Sequence, residues 1–256
     1  MEVLIPRHSE IVALARSEGR VTVDDLAERF GVTPQTIRKD LNDLCDQGIL
    51  QRYHGGAVPA SGVVNFDYQA RRLLGPEAKR AIGQAAARQI PNGASILINI
   101  GTTTEQVAMA LRGHSGLMVI TNNINVANIL QGHDRIEVVV ACGVLRHSDG
   151  GIVGEAAVDF IRQFKVDYAV IGASAIDADG ALLDYDYREV KVAKAIISNA
   201  RTSILVADAM KYERNAPVRI GHLSELDMFV TDQPPPAALR QTCKDNGVTV
   251  EVAAPA

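Results

Sequence analysis

Between Thr22 and Val58 the chain runs Thr-Val-Asp-Asp-Leu-Ala-Glu-Arg-Phe, Gly-Val-Thr, Pro-Gln-Thr-Ile-Arg-Lys-Asp-Leu-Asn-Asp-Leu, and later Gly-Ile-Leu-Gln-Arg-Tyr-His-Gly-Gly-Ala-Val. Few structures satisfy this order. Thr22, with Asp25 three residues on, reads as a helix cap. Leu26, Ala27 and Phe30 then repeat at helical spacing, and Gly31 breaks the chain. Thr33 is a second cap, and Pro34 suits the first turn because its missing N–H has no partner there anyway. Ile37, Leu41 and Leu44 form a buried stripe that stops at Gly48. A preceding helix is carried by Ile11, Leu14 and Ala15 and ends at Gly19. Two short helices around a tight turn, followed by a ribbon with glycines at its tip, present one helix to the major groove of DNA.

With that stripe buried, Gln35, Thr36, Arg38 and Lys39 lie on the exposed face near the helix start. Gln pairs bidentately with adenine and Arg with guanine. Thr33, Thr36 and Lys39 suit phosphates, which position the helix without reading sequence. Arg52 and His54 place cationic and aromatic groups on a wing over the backbone or minor groove. Net charge gives no help: residues 1–58 hold seven Lys plus Arg against nine Asp plus Glu, within a chain of net charge −4. DNA affinity therefore rests on a few placed cations and on several copies acting together. Asp40, Asp43 and Asp46 would repel phosphates if the helix lay flat, which predicts that it enters end-on.

A chain of 256 residues holds one small and one medium domain. The expected boundaries are a winged helix-turn-helix domain over 1–58, a linker over 59–75 opening with Pro59-Ala60-Ser61-Gly62, and an α/β domain over 76–256. No apolar run approaches the ~20 residues of a membrane span and no signal core follows Arg7 and His8, so the expected location is cytoplasmic. Cys45, Cys142 and Cys243 are few and scattered, which indicates neither a disulfide framework nor a zinc site.

After an Ala-rich helix over Glu77–Gln89, apolar runs at Ser95–Ile100, Leu117–Thr121, Ile136–Ala141, Tyr168–Gly172, Ser203–Ala207 and Met228–Thr231 read as central parallel strands. Helical patterns between them predict a doubly wound α/β sheet, whose ligands bind beyond the carboxyl ends of the strands. Gly101-Thr102-Thr103-Thr104 lies at such an end and opens a helix, a favourable place for a phosphate. Thr121-Asn122-Asn123 occupies the equivalent point on the next strand and offers groups for substrate hydroxyls. Arg146–Gly154 is a Gly-rich lid or turn. Asp177-Ala178-Asp179-Gly180 fits a hairpin better than a calcium loop. Asp184, Asp186, Glu189, Lys191 and Lys194 are expected to be mostly solvated. Lys211, with Asp208 just before it, follows a strand end and either neutralises a phosphate or belongs to a basic loop with Arg214.

The run Thr33-Pro34-Gln35-Thr36-Ile37-Arg38-Lys39-Asp40-Leu41-Asn42, with His54-Gly55-Gly56-Ala57, is similar to the signature of the DeoR family of bacterial transcriptional regulators. Ile90-Pro91-Asn92-Gly93, Thr121-Asn122-Asn123, Asp149-Gly150-Gly151-Ile152-Val153-Gly154, Asp159-Phe160-Ile161 and Asp184-Tyr185-Asp186-Tyr187 extend the resemblance over nearly the whole chain. It implies a C-terminal sensor resembling the sugar-phosphate isomerase, deaminase and CoA-transferase superfamily, with the Gly101 loop as its phosphate loop. Where isomerases of that kind carry Gly-Ala-Asp, this chain has Gly172-Ala173-Ser174, and the deaminase His motif is not visible. Asp177 and Glu189 are the one acid–base pair an isomerase or deaminase could use here. The resemblance thus implies a repressor of carbon catabolism, without catalytic residues, cofactor or metal. Operator DNA is its partner, in a homodimer or homotetramer. A phosphorylated metabolite, glycerol 3-phosphate by preference, releases it. Asp177, Glu189 and Lys211 complete the candidate effector set.

Overall fold

A computed structural model describes residues 6–18, 20–53, 55–59 and 68–254. The chain divides into two compact units, Met1–Leu74 and Gly75–Ala256.

The first unit contains α1 (Pro6–Glu18), β1 (Val21–Thr22), α2 (Val23–Phe30), α3 (Pro34–Asp46), β2 (Leu50–Tyr53), β3 (Gly56–Pro59) and α4 (Tyr68–Leu73). Both expected caps form: Thr22 accepts from the Asp25 N–H and Thr33 from the Thr36 N–H, each at 3.2 Å. Gly31 ends α2 at φ 62°, a left-handed conformation that glycine adopts without strain. Ile11, Ala15, Leu26, Ile37, Leu41 and Leu44 are buried together, so the three helices share one small core. The strands form an antiparallel sheet in the order β1-β3-β2. A Cβ on Gly56 would lie 2.0 Å from the Val21 carbonyl oxygen, so the ribbon can close on β1 only with glycine there. Helix α4 occupies part of the stretch read as linker, with the Arg72 guanidinium 5.9 Å from the centre of the Tyr68 ring. Gly19, His54 and linker residues 60–67 lie outside the described residues.

The second unit begins with α5 (Pro76–Arg88), β4 (Ser95–Ile98), α6 (Thr102–Leu111), β5 (Leu117–Thr121), α7 (Ile124–Leu130) and β6 (Ile136–Val140). It continues through β7 (Val144–Leu145), β8 (Ile152–Val153), α8 (Glu155–Ile161), β9 (Val166–Ile171), β10 (Ala175–Ile176), β11 (Ala181–Asp184) and α9 (Tyr187–Ser198). The remaining elements are β12 (Ala200–Val206), β13 (Val218–His222), β14 (Met228–Thr231), α10 (Ala237–Asp245) and β15 (Thr249–Val252). Seven strands make one parallel sheet in the order β15-β14-β12-β9-β4-β5-β6.

Strict alternation along these strands fills two cores. Leu97, Ile120, Ala169, Ile171, Leu205 and Phe229 pack with residues of α8, α9 and α10 on one face. Ile96, Ile98, Val119, Val170, Ile204 and Val230 pack with α5, α6 and α7 on the other. The doubly wound expectation therefore holds. Two strands were not expected from the sequence, β15 and β13, the latter adding to the hairpin β10-β11 in a small antiparallel sheet. Both lack the long Val and Ile runs that mark central strands; β15 is only partly covered and β13 carries Arg219 and Gly221. The hairpin at Asp177–Gly180 forms as read. Gly180 there has φ 94°, and a Cβ would lie 2.8 Å from the His222 ring.

From central β4 the chain steps to β5 and β6, then crosses back to β9 on the other side of β4. The helices that follow β4 and β9 pack on opposite faces of the sheet, which makes this the topological switch point. Among the described residues, no helix is long and apolar enough to cross a membrane.

Candidate functional site

Helix α3 presents Gln35, Arg38 and Lys39 exposed to solvent. Their side chains form no hydrogen bond or ion pair among the described residues. Thr33 and Thr36 lie beside them with their hydroxyls 2.9 Å apart, engaged in capping the helix. Arg52 is placed differently from a free wing cation. It donates to the Arg38 carbonyl at 2.9 Å and to the Asn42 side chain at 3.1 Å, and so ties the ribbon to α3.

The structure corrects the charge expectation at Asp40. This residue does not face outward with Asp43 and Asp46; it is 4% exposed. Its carboxylate accepts from Arg7 at 2.6 and 3.1 Å and lies 3.1 Å from the His8 ring. Burial alone would raise its pKa, but the hydrogen bonds from Arg7 and His8 outweigh burial and lower it. One acid is thus withdrawn from the exposed face of α3 and used to anchor α1 to α3.

In the second unit, Gly101 caps α6 at φ 146° and ψ 147°, with no side-chain cap on the helix start. The leading N–H groups of α6 therefore point, without a side-chain partner, from the carboxyl end of β4. Such an end attracts an anion through its free donors and the helix dipole. Thr102 and Thr103 are buried beside it, and their hydroxyls make no hydrogen bond among the described residues. The Thr104 hydroxyl is already committed, donating towards the Asn99 and Gly101 carbonyls at 2.7 and 2.8 Å.

Thr121, too, is spent on structure: its hydroxyl donates to the Ile98 carbonyl at 2.7 Å and accepts from the Asn123 N–H at 3.0 Å. Asn123 caps α7, and its amide donates to Glu105 at 3.3 Å. Asn125 joins Glu105 at 3.0 Å to the Asp149 carbonyl at 2.8 Å. Asn122 is fully buried and donates to the Ile152 carbonyl at 3.1 Å. These bonds hold the β7–β8 turn against the end of β5, where sequence alone left a choice between lid and turn.

That turn delivers Arg146, which the sequence reading did not select. Its guanidinium donates twice to Asp149, at 2.8 and 2.7 Å, to Asp186 at 2.9 Å and to Glu189 at 2.6 Å. Burial disfavours its charge, yet Asp149 and Glu189 outweigh burial and raise its pKa further. Asp186 is held down to about 2, chiefly by its hydrogen bond from Arg188, with Arg146 adding to it. Glu189 goes the other way: burial and the charge of Asp184 carry it up to about 8, against the pull of Arg146. Asp184 itself accepts from Ser174 at 2.9 Å. Asp184 and Glu189 were expected to be solvated and are 7% and 9% exposed. Lys191 and Lys194 do face solvent. Asp177 stays in the hairpin, and no bond among the described residues joins it to Arg146.

Lys211 lies half-buried in a 3-10 turn, Ala209–Glu213, beyond β12. Asp208, just before that turn, is 1% exposed, and neither of its carboxylate oxygens has a hydrogen-bond partner among the described residues.

A raised acid sets a pH dependence. Between its ordinary value of 4.5 and about 8, Glu189 keeps in the folded protein a proton that the unfolded chain has released. Its contribution to stability is therefore full below that window and is lost as pH rises through it. Urea midpoints should fall from pH about 5 to about 8, and Glu189→Gln, which cannot ionise, should flatten that fall. Equal slopes in both proteins would contradict the assignment.

Family comparison agrees with this pairing of units. The DeoR-like helix-turn-helix domain matches residues 7–62, and the DeoR C terminal sensor domain matches residues 75–233. The chain belongs to the DeoR family, and it is a DNA-binding transcriptional repressor, not an enzyme. The "Glycerol-3-phosphate regulon repressor" of Escherichia coli (strain K12) is 46% identical over 246 residues, covering 96% of this chain and 98% of that protein. From the same organism, the "HTH-type transcriptional repressor CsqR" is 42% identical over 96% of this chain and 94% of its own length. Ribose 5 phosphate isomerase A from Neisseria gonorrhoeae aligns over 52% of each chain at 16% identity and a TM-score of 0.39. A likeness that weak assigns no residue a role.

Proposed function

We propose that this protein represses genes of glycerol-3-phosphate metabolism in the cytoplasm and leaves its operator when glycerol 3-phosphate occupies the sensor. The effector half of this reading is carried by Gly101, which opens an uncapped helix at the carboxyl edge of the sheet beside its switch point. The near full-length similarity to a glycerol-3-phosphate regulon repressor supports the choice of metabolite. Phosphate goes to the α6 N-terminus and the Thr102 and Thr103 hydroxyls; Lys211 adds charge from β12. Gln35 and Arg38 read bases, while Thr33, Thr36, Lys39, Arg52 and His54 hold phosphates of the duplex. Half-sites one helical turn, about 34 Å, apart require at least two copies, and a tetramer would offset the acidic reader domain by multivalency.

The test is footprinting of the regulon's promoter with and without glycerol 3-phosphate. The reading expects protection that the metabolite removes. A repressor not named for glycerol 3-phosphate is 42% identical to this chain, so one second reading is a repressor of another sugar-phosphate pathway. Protection unmoved by glycerol 3-phosphate but removed by a sugar phosphate would favour it.

A further inference from the structure

Gln35, Arg38 and Asn42 follow one another on α3 at i, i+3 and i+7, so they share one face of the helix, and all three are exposed. The side chains of Gln35 and Arg38 bond nothing among the described residues. Asn42 differs, because it is held from β2. The Arg52 Nε donates to the Asn42 Oδ1 at 3.1 Å. The Arg52 Nη2 donates to the same oxygen and, at 2.9 Å, to the Arg38 carbonyl. Nη1 of that guanidinium makes no hydrogen bond among the described residues.

The chemistry of the amide decides what Asn42 can do. An Arg side chain carries donors only, so the atom that faces it is the amide oxygen. Reading adenine takes both ends of a terminal amide, the oxygen accepting and the nitrogen donating. At Asn42 the oxygen is already engaged. Asn42 therefore does not read a base by that pairing, although it stands in line with Gln35 and Arg38. It holds the guanidinium, and with it β2, against the helix. The ribbon needs such an anchor: β2 and β3 have four residues each and β1 adds two, and sheets that small are marginal alone. A ribbon ordered before binding also loses less freedom when it docks.

We propose that Asn42 is a positioning residue for operator binding: it fixes Arg52, and so the β2–β3 ribbon, beside Arg38 and leaves the Arg52 Nη1 to a phosphate. The proposal rests on the reading of α3 and the ribbon as the DNA face, and it adds the residue that sets one against the other.

The experiment compares full-length wild type, Asn42→Ala, Arg52→Ala and the double variant by gel shift, on the regulon's promoter fragment and on a scrambled duplex. Asn42→Ala should fold, because Ala at an exposed helix site favours the helix. It should bind about fivefold or more weakly, by the same factor on both duplexes, since a misplaced ribbon loses backbone contacts and not base contacts. Arg52→Ala should bind more weakly still, because the phosphate charge goes too. The double variant should bind like Arg52→Ala, because an acceptor with nothing to hold contributes nothing. Without DNA, hydrogen exchange of the β2 and β3 amides should quicken in Asn42→Ala, while the parallel sheet of the sensor keeps its protection.

Additive losses would overturn the proposal, since Asn42 would then touch DNA on its own account. So would wild-type affinity in Asn42→Ala, a loss confined to the promoter fragment, or unchanged exchange in the ribbon. In each of these cases wild type still binds the promoter and the DNA face stands. A wild type that binds neither duplex would remove the DNA face, and the proposal with it.

Discussion

Arg38→Ala should abolish specific operator binding while the sensor still binds its phosphate ligand. Arg38 is exposed on α3, and its side chain holds nothing among the described residues. Its loss therefore takes away a base contact without loosening the core of Ile37, Leu41 and Leu44. A bidentate pair contributes roughly 1–3 kcal/mol of discrimination. Two copies on a symmetric site double this, for a loss of about 30-fold to 10⁴-fold. Gel shifts on operator and scrambled duplexes measure it directly. The scrambled duplex should be bound about as before, because positioning contacts remain. Wild-type affinity for the operator would remove Arg38 from the reading set.

Gly101→Val should produce the opposite phenotype, a repressor that binds DNA and does not respond. At φ 146° a side-chain-bearing residue is strained, and a Cβ would meet the Thr104 hydroxyl at 3.3 Å. Relief of that strain re-aims the N–H groups at the start of α6. A cost of about 1–3 kcal/mol would weaken effector binding roughly 5- to 150-fold. The measurement is the effector concentration that half-releases operator, compared between variant and wild type. An unchanged midpoint would take the α6 N-terminus out of the site.

What the sequence discloses follows the range of the interaction. Thr22, Thr33 and Gly31 act on N–H groups a few residues away, so the caps and the break were readable directly. The central strands were readable because both faces are buried and the runs of Val and Ile are unbroken. Asp40 was misread as an outward charge because its partner Arg7 is 33 residues distant. Glu189 was misread as solvated for the same reason. Arg146, which draws Glu189 and Asp186 together, is 43 and 40 residues away from them. The candidate phosphate site at Gly101 was legible as a local helix start.

The central claim is that one site weakens the other, and linkage makes that claim reciprocal. Glycerol 3-phosphate should therefore bind the operator-bound protein more weakly than the free protein. The factor is the one by which it lowers operator affinity, about 5- to 150-fold for typical couplings. Calorimetric titration of the metabolite into the protein, with and without saturating operator duplex, measures both affinities. Weaker binding in the complex by the same factor is the expected result. Equal affinity for free and DNA-bound protein would contradict the account.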